Sequence, residues 1–169
     1  MKKVLLLLVL AVSMGTFAQS TNTQEVSDSV YIINEVDEMS GKKYTVVNKN
    51  LVVFNEGATK GFSITPFVKN NKVEMLVIKA VNFNGCNEND ELIFLFENGE
   101  RLVMKSWNKF NCEGKAYYSL DKTQINLLNS NRISKIRFTS GKSYDNVTGE
   151  PSMSDYFIKL FAYIEESSI

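Results

Sequence analysis

The 169-residue chain contains no histidine, and that absence bounds its chemistry. Imidazole is the usual general base near neutral pH, the activator of serine and cysteine nucleophiles, and the commonest metal ligand. Two cysteines alone leave too few ligands for a standard zinc site. What remains is carboxylate chemistry, of the kind used in glycoside hydrolysis, or a lysine-based mechanism. The densest acidic stretch is 82–91, NFNGCNENDE, with Glu88, Asp90 and Glu91 among asparagines. Side-chain oxygens around a glycine can hold Ca²⁺, but this spacing does not match the twelve-residue calcium loop. A polar connection ahead of a strand accounts for the segment, and neither a metal nor a cofactor is expected.

A second group of residues suits binding rather than catalysis. Trp107, Phe110, Tyr117 and Tyr118 cluster around Cys112. Exposed Trp and Tyr stack on sugars or anchor partner proteins. Adjacent Tyr117 and Tyr118 point to opposite faces of a strand, so at most one is buried in a one-sided sheet. Packing against a nearby disulfide is the competing role for these rings.

Those residues are positioned by short apolar segments separated by turn residues. Val30–Glu35 and Lys43–Asn48 flank Met39–Lys42 as a hairpin. Leu51–Phe54 follows, then Gly61–Val68 and Val73–Phe83. The strongest hairpin signal is Asn98-Gly99 between Glu91–Phe96 and Glu100–Trp107. A two-residue loop there predicts Ile93 opposite Met104 and Leu95 opposite Leu102. Both faces of this hairpin carry apolar residues, which predicts a place at the sheet centre. Cys86 and Cys112 lie at nearly equal distances from the turn, which predicts a disulfide between them in an oxidising compartment.

Ala116–Leu120 and Arg132–Phe138 read as strands, and Ser143–Val147 as a weaker one. Asp121 to Leu128 reads as a short helix, with Asp121 and Gln124 as a capping box. A C-terminal helix is capped by Ser152, with Asp155 three residues on and Pro151 before it. Met153, Tyr156, Phe157, Leu160, Phe161 and Ile164 share one face. The expected class is α+β: a mainly antiparallel sheet, a short helix near 121–128, and an amphipathic C-terminal helix packed on the sheet.

The N-terminus carries a compartment signal. Lys2 and Lys3 precede the apolar run Val4–Val12, and Thr16-Phe17-Ala18 ends with small residues at the outer positions. That is the layout of a secretory signal cleaved after Ala18. Nine apolar residues fall well short of the roughly 20 that span a bilayer, so the mature chain is expected to have no transmembrane segment. Residues 19–29 read as a flexible leader and 30–169 as one β-rich domain. Cleavage leaves 17 basic and 19 acidic residues, a net charge of −2, without the basic block that nucleic acid recognition needs.

The signal end Phe17-Ala18-Gln19, together with residues 131–147 (NRISKIRFTSGKSYDNV) and 154–164 (SDYFIKLFAYI), resembles small exported Bacteroidota proteins of no assigned function. The resemblance implies a secreted or periplasmic lineage and no activity. The expected function is therefore non-catalytic binding of another protein or a surface glycan. A carboxylate-dependent hydrolase is the alternative, and a module inserting its Gly85–Asp90 loop into a partner is a third reading.

Overall fold

A computed structural model describes residues 28–83 and 86–167. The expected signal and most of the expected leader lie outside the described residues. Among the described residues ten strands and two helices follow one another: β1 (Ile32–Val36), β2 (Lys43–Val47), β3 (Leu51–Phe54), β4 (Gly61–Lys69), β5 (Lys72–Val81), β6 (Glu91–Phe96), β7 (Arg101–Lys105), β8 (Lys115–Ser119), α1 (Lys122–Ser130), β9 (Ile133–Thr139), β10 (Asn146–Gly149) and α2 (Tyr156–Glu166). Every strand pairing among the described residues is antiparallel, and the class is α+β.

The strands divide into a β1–β2 hairpin and two four-stranded sheets, ordered β3-β4-β5-β8 and β10-β9-β6-β7. Period-two burial explains the division. In β5, Val73, Leu76 and Ile78 are buried; in β6, Leu92, Phe94 and Phe96 are. These inner faces meet: Phe62 of β4 and Phe138 of β9 lie 5.6 Å apart by ring centroid, as facing sheets require.

The two sheets are stitched along both sides. On one, the Ser152 N–H donates to the Val52 carbonyl at 2.8 Å, and the Val52 N–H donates to Ser152 Oγ at 3.1 Å. The backbones approach so closely here that a Cβ at Gly149 would collide with the Phe54 carbonyl oxygen. On the other, the Trp107 N–H donates to the Tyr117 carbonyl at 3.1 Å, just beyond the end of β7.

The helix α1 has its expected capping box: Asp121 accepts from the Gln124 N–H, and the Gln124 side chain accepts from the Asp121 N–H. In α2, Tyr156, Phe157, Leu160, Phe161 and Ile164 are buried. The Phe157 ring meets Phe94 edge-on at 6.0 Å, and the Tyr156 hydroxyl donates to the Lys49 carbonyl at 2.6 Å. Among the described residues no helix is long and apolar enough to cross a membrane.

Three expectations need correction. The β6–β7 register is Leu92 opposite Met104 and Phe94 opposite Leu102, one residue from that expected. The loop has three residues, 97–99: the Phe96 N–H donates to the Glu100 carbonyl, and Gly99 takes φ +86°. A left-handed glycine closing a turn adds one residue to the loop and shifts the ladder. Phe94 and Leu102 thus face the core, while Ile93 and Leu95 face outward. The hairpin is also not central, because β7 is an edge strand. Finally, α2 begins at Tyr156 with Asp155 as N-cap and no side-chain cap bond. Ser152 is engaged by the seam to β3, and the Asp155 carboxylate instead pairs with Lys159 at 3.2 Å and Arg132 at 3.7 Å.

Candidate binding surface

The expected disulfide is present, joining Cys86 to Cys112 across a Cα separation of 4.1 Å. Asn87 and Asn111 exchange both backbone hydrogen bonds, at 2.6 and 3.0 Å. The position next to such a pair is a non-hydrogen-bonded one, where opposing Cα atoms come closest. The cysteines occupy it, so the Asn87–Asn111 bridge sets Cys86 directly opposite Cys112.

This staple fixes the segment that carries the aromatic residues. Trp107 is 59 % exposed, and its ring lies 5.4 Å from that of Tyr117, tilted by 33°. The Trp107–Tyr117 backbone bond is matched by one from the Tyr117 N–H to Asn108 Oδ1 at 3.1 Å, so both backbone groups of Tyr117 hold the 107–108 segment against β8. Phe110 is 53 % exposed and lies under the Lys142 ammonium at 5.8 Å, within cation–π range.

Tyr118 goes elsewhere. It alternates with Tyr117, is fully buried, and belongs to the core rather than to any surface site. Its hydroxyl has no hydrogen-bond partner among the described residues. Burial, and next the negative charges of Asp90 and Glu91, push its pKa far above the ordinary tyrosine value.

The face beside Trp107 extends further than the four aromatic residues read from the chain. Val77 of β5 lies opposite Tyr117, and Met75 lies opposite Phe67 of β4. Val77, Met75 and Tyr117 are half-buried and Phe67 is exposed, all on the outward side of the sheet. Trp107, Tyr117, Val77, Met75 and Phe67 therefore form an apolar strip across the outer face. The signal for the added members was the alternation of Met75 and Val77 with buried Leu76 and Ile78.

The acids of 82–91 do not converge. Glu88 faces Lys142 at 3.8 Å, and Glu91 pairs with Lys105 at 3.2 Å and Arg137 at 3.8 Å. Asp90 is fully buried and accepts from the Gly141 N–H at 3.0 Å. Asn84 and Gly85, part of the loop read as an insertion element, lie outside the described residues. Among the described residues no cluster of three or more acids or cysteines is placed to hold a metal.

A groove of about 630 Å³ runs along the seam of β3 and β10 and is lined by Phe54, Glu56, Lys135, Thr148 and Glu150 among others. It brings two carboxylates to one concave site, which their distance in the chain concealed. Comparison with known proteins finds no matching family model, no similar curated protein and no similar solved structure.

Proposed function

We propose that the protein is an exported, non-catalytic binding module that grips a partner protein through the Trp107–Tyr117 face. The observation that carries this reading is a 59 % exposed tryptophan packed against a tyrosine on a disulfide-stapled segment. Solvent-exposed aromatics on a preorganised support contribute most to association, because little freedom is lost on binding. A protein is favoured over a glycan because Val77, Met75 and Phe67 prolong the apolar strip beyond the rings that a sugar needs. The disulfide supports passage through an oxidising compartment. In the same reading α2 is a cover for the sandwich, since its apolar face is buried within the chain.

The hydrolase alternative would use Glu56 and Glu150. Both are exposed, and no hydrogen bond or ion pair to another described residue holds either carboxylate in place, whereas a general acid needs a supported, desolvated setting.

The test is capture from the native envelope with the wild-type chain and with Trp107→Ala. Recovery of one partner by the wild type, weakened at least roughly tenfold in W107A, is expected for an anchor residue. Equal recovery by both chains overturns the reading. Binding of W107A to no protein but of the wild type to a glycan array replaces protein by carbohydrate.

A further inference from the structure

On the opposite side of the molecule, we infer that the outer face of the β10-β9-β6-β7 sheet is a second docking surface, built for an acidic, extended segment of a partner protein. The register sets Leu95 between Lys135 and Arg101, and Ile93 between Arg137 and Val103. Ile93 and Leu95 are half-buried, Val103 is 53 % exposed, and the cations around them are exposed. The result is an apolar floor bounded by long basic side chains. A shallow hollow of about 190 Å³ already exists over it, lined by Ile93, Leu95, Arg101, Lys135 and Arg137 among others.

Charge identifies the occupant. Within β6, β7 and β9, Arg101, Lys105, Lys135 and Arg137 share the outward side with one acid, Glu91, which contacts Lys105 and Arg137. The five residues leave three positive charges, on a chain whose formal net charge is zero. Glu56 and Glu150 flank the adjoining groove beyond Lys135 and confine the basic area to β9, β6 and β7. Spacing identifies its shape. Lys135 and Arg137 stand two residues apart on one strand, the repeat of about 6.6–6.8 Å that alternate side chains of any extended peptide share. Alternating acids would meet the two cations while small apolar residues reach the Ile93–Leu95 floor. A membrane surface fits less well, because Ile93 and Leu95 lie half-buried between the charged residues rather than protruding past them. Charge-rimmed apolar floors are the ordinary anatomy of protein interfaces, where arginine is enriched.

The probe is a hexapeptide alternating glutamate and valine, titrated into the full chain with methyl signals of Ile93, Leu95 and Val103 followed by NMR. Saturable shifts at those methyls are expected, weakening as salt is raised, as complementary charge requires. The double variant Arg101→Glu/Arg137→Glu should weaken binding by more than about tenfold, and Val103→Glu should do so without touching a cation. Trp107→Ala should leave the titration unchanged, so this surface and the aromatic face succeed or fail separately. Equal shifts with the lysine–valine peptide, shifts mapping elsewhere, or no binding would overturn the inference. So would preference for heparin or for phosphatidylglycerol vesicles over the acidic peptide.

Discussion

Asp90 shows how a polar side chain can be buried for architectural reasons. Its carboxylate accepts from the Gly141 N–H, and its backbone N–H donates to Ser106 Oγ at 2.9 Å. It therefore ties the start of β6, the end of β7 and the β9–β10 turn together beside the disulfide. Asp90→Ala leaves the Gly141 N–H unpaired in the interior and should cost about 2–3 kcal/mol, read by urea denaturation. Tyr118 offers the reverse case, since its buried hydroxyl is unsatisfied among the described residues. Tyr118→Phe should be neutral or stabilising by up to about 1 kcal/mol. Burial raises the pKa of both Tyr118 and Tyr156, so the folded state holds these protons more tightly than the unfolded one. Their contribution is complete below the ordinary tyrosine value of about 10 and is lost as pH rises above it. The midpoint of alkaline unfolding should thus move upward in Y118F. From the chain alone, adjacent Tyr117 and Tyr118 were known to part, but which one entered the core depended on the register of β5 and β8.

Strand and hairpin positions were largely legible because their signals are local. Asp121 with Gln124 marked α1, and Asn98-Gly99 marked the β6–β7 turn. Loop length was not legible: a left-handed glycine serves a two-residue or a three-residue turn equally, and one residue decides which face enters the core. The start of α2 was misplaced for a tertiary reason, as Ser152 bonds to β3, a hundred residues away in sequence. That seam is testable, because Gly149→Ala forces β3 and β10 apart. A loss of about 1–3 kcal/mol is expected from thermal or urea unfolding, as for other overpacked sites. The disulfide was legible from symmetry about the turn. Closing a 26-residue separation restricts the denatured chain by about 3.5 kcal/mol in the entropy model, and Cys86→Ala/Cys112→Ala should lose about 2–4 kcal/mol in chemical denaturation. The β1–β2 hairpin pairs with neither sheet; it buries Ile32 and Val47 in the core but exposes Ile33, Val36, Met39 and Tyr44. Isolated two-stranded pairs are marginal in water, so its amides should exchange faster than those of β5 or β6.

At the scale of the whole molecule, the α+β class followed from composition and turn spacing, while the division into two facing sheets did not. Alternation tells which side of a strand is apolar but not which other strand it meets, and β8 crosses to β5 while β9 returns to β6. The two outer faces follow from that division, one aromatic and apolar, the other apolar and basic. Both functional readings thus depend on a topology that local patterns leave open. Trp107 is the chain's sole tryptophan, so its emission reports on the proposed aromatic face. The decisive experiment is fluorescence titration of a captured partner against the wild-type chain, with the Trp107→Phe titration subtracted. A saturable blue shift as water leaves the indole is expected. Emission that stays unchanged while the partner is fully bound would contradict the assignment of this face as the binding site.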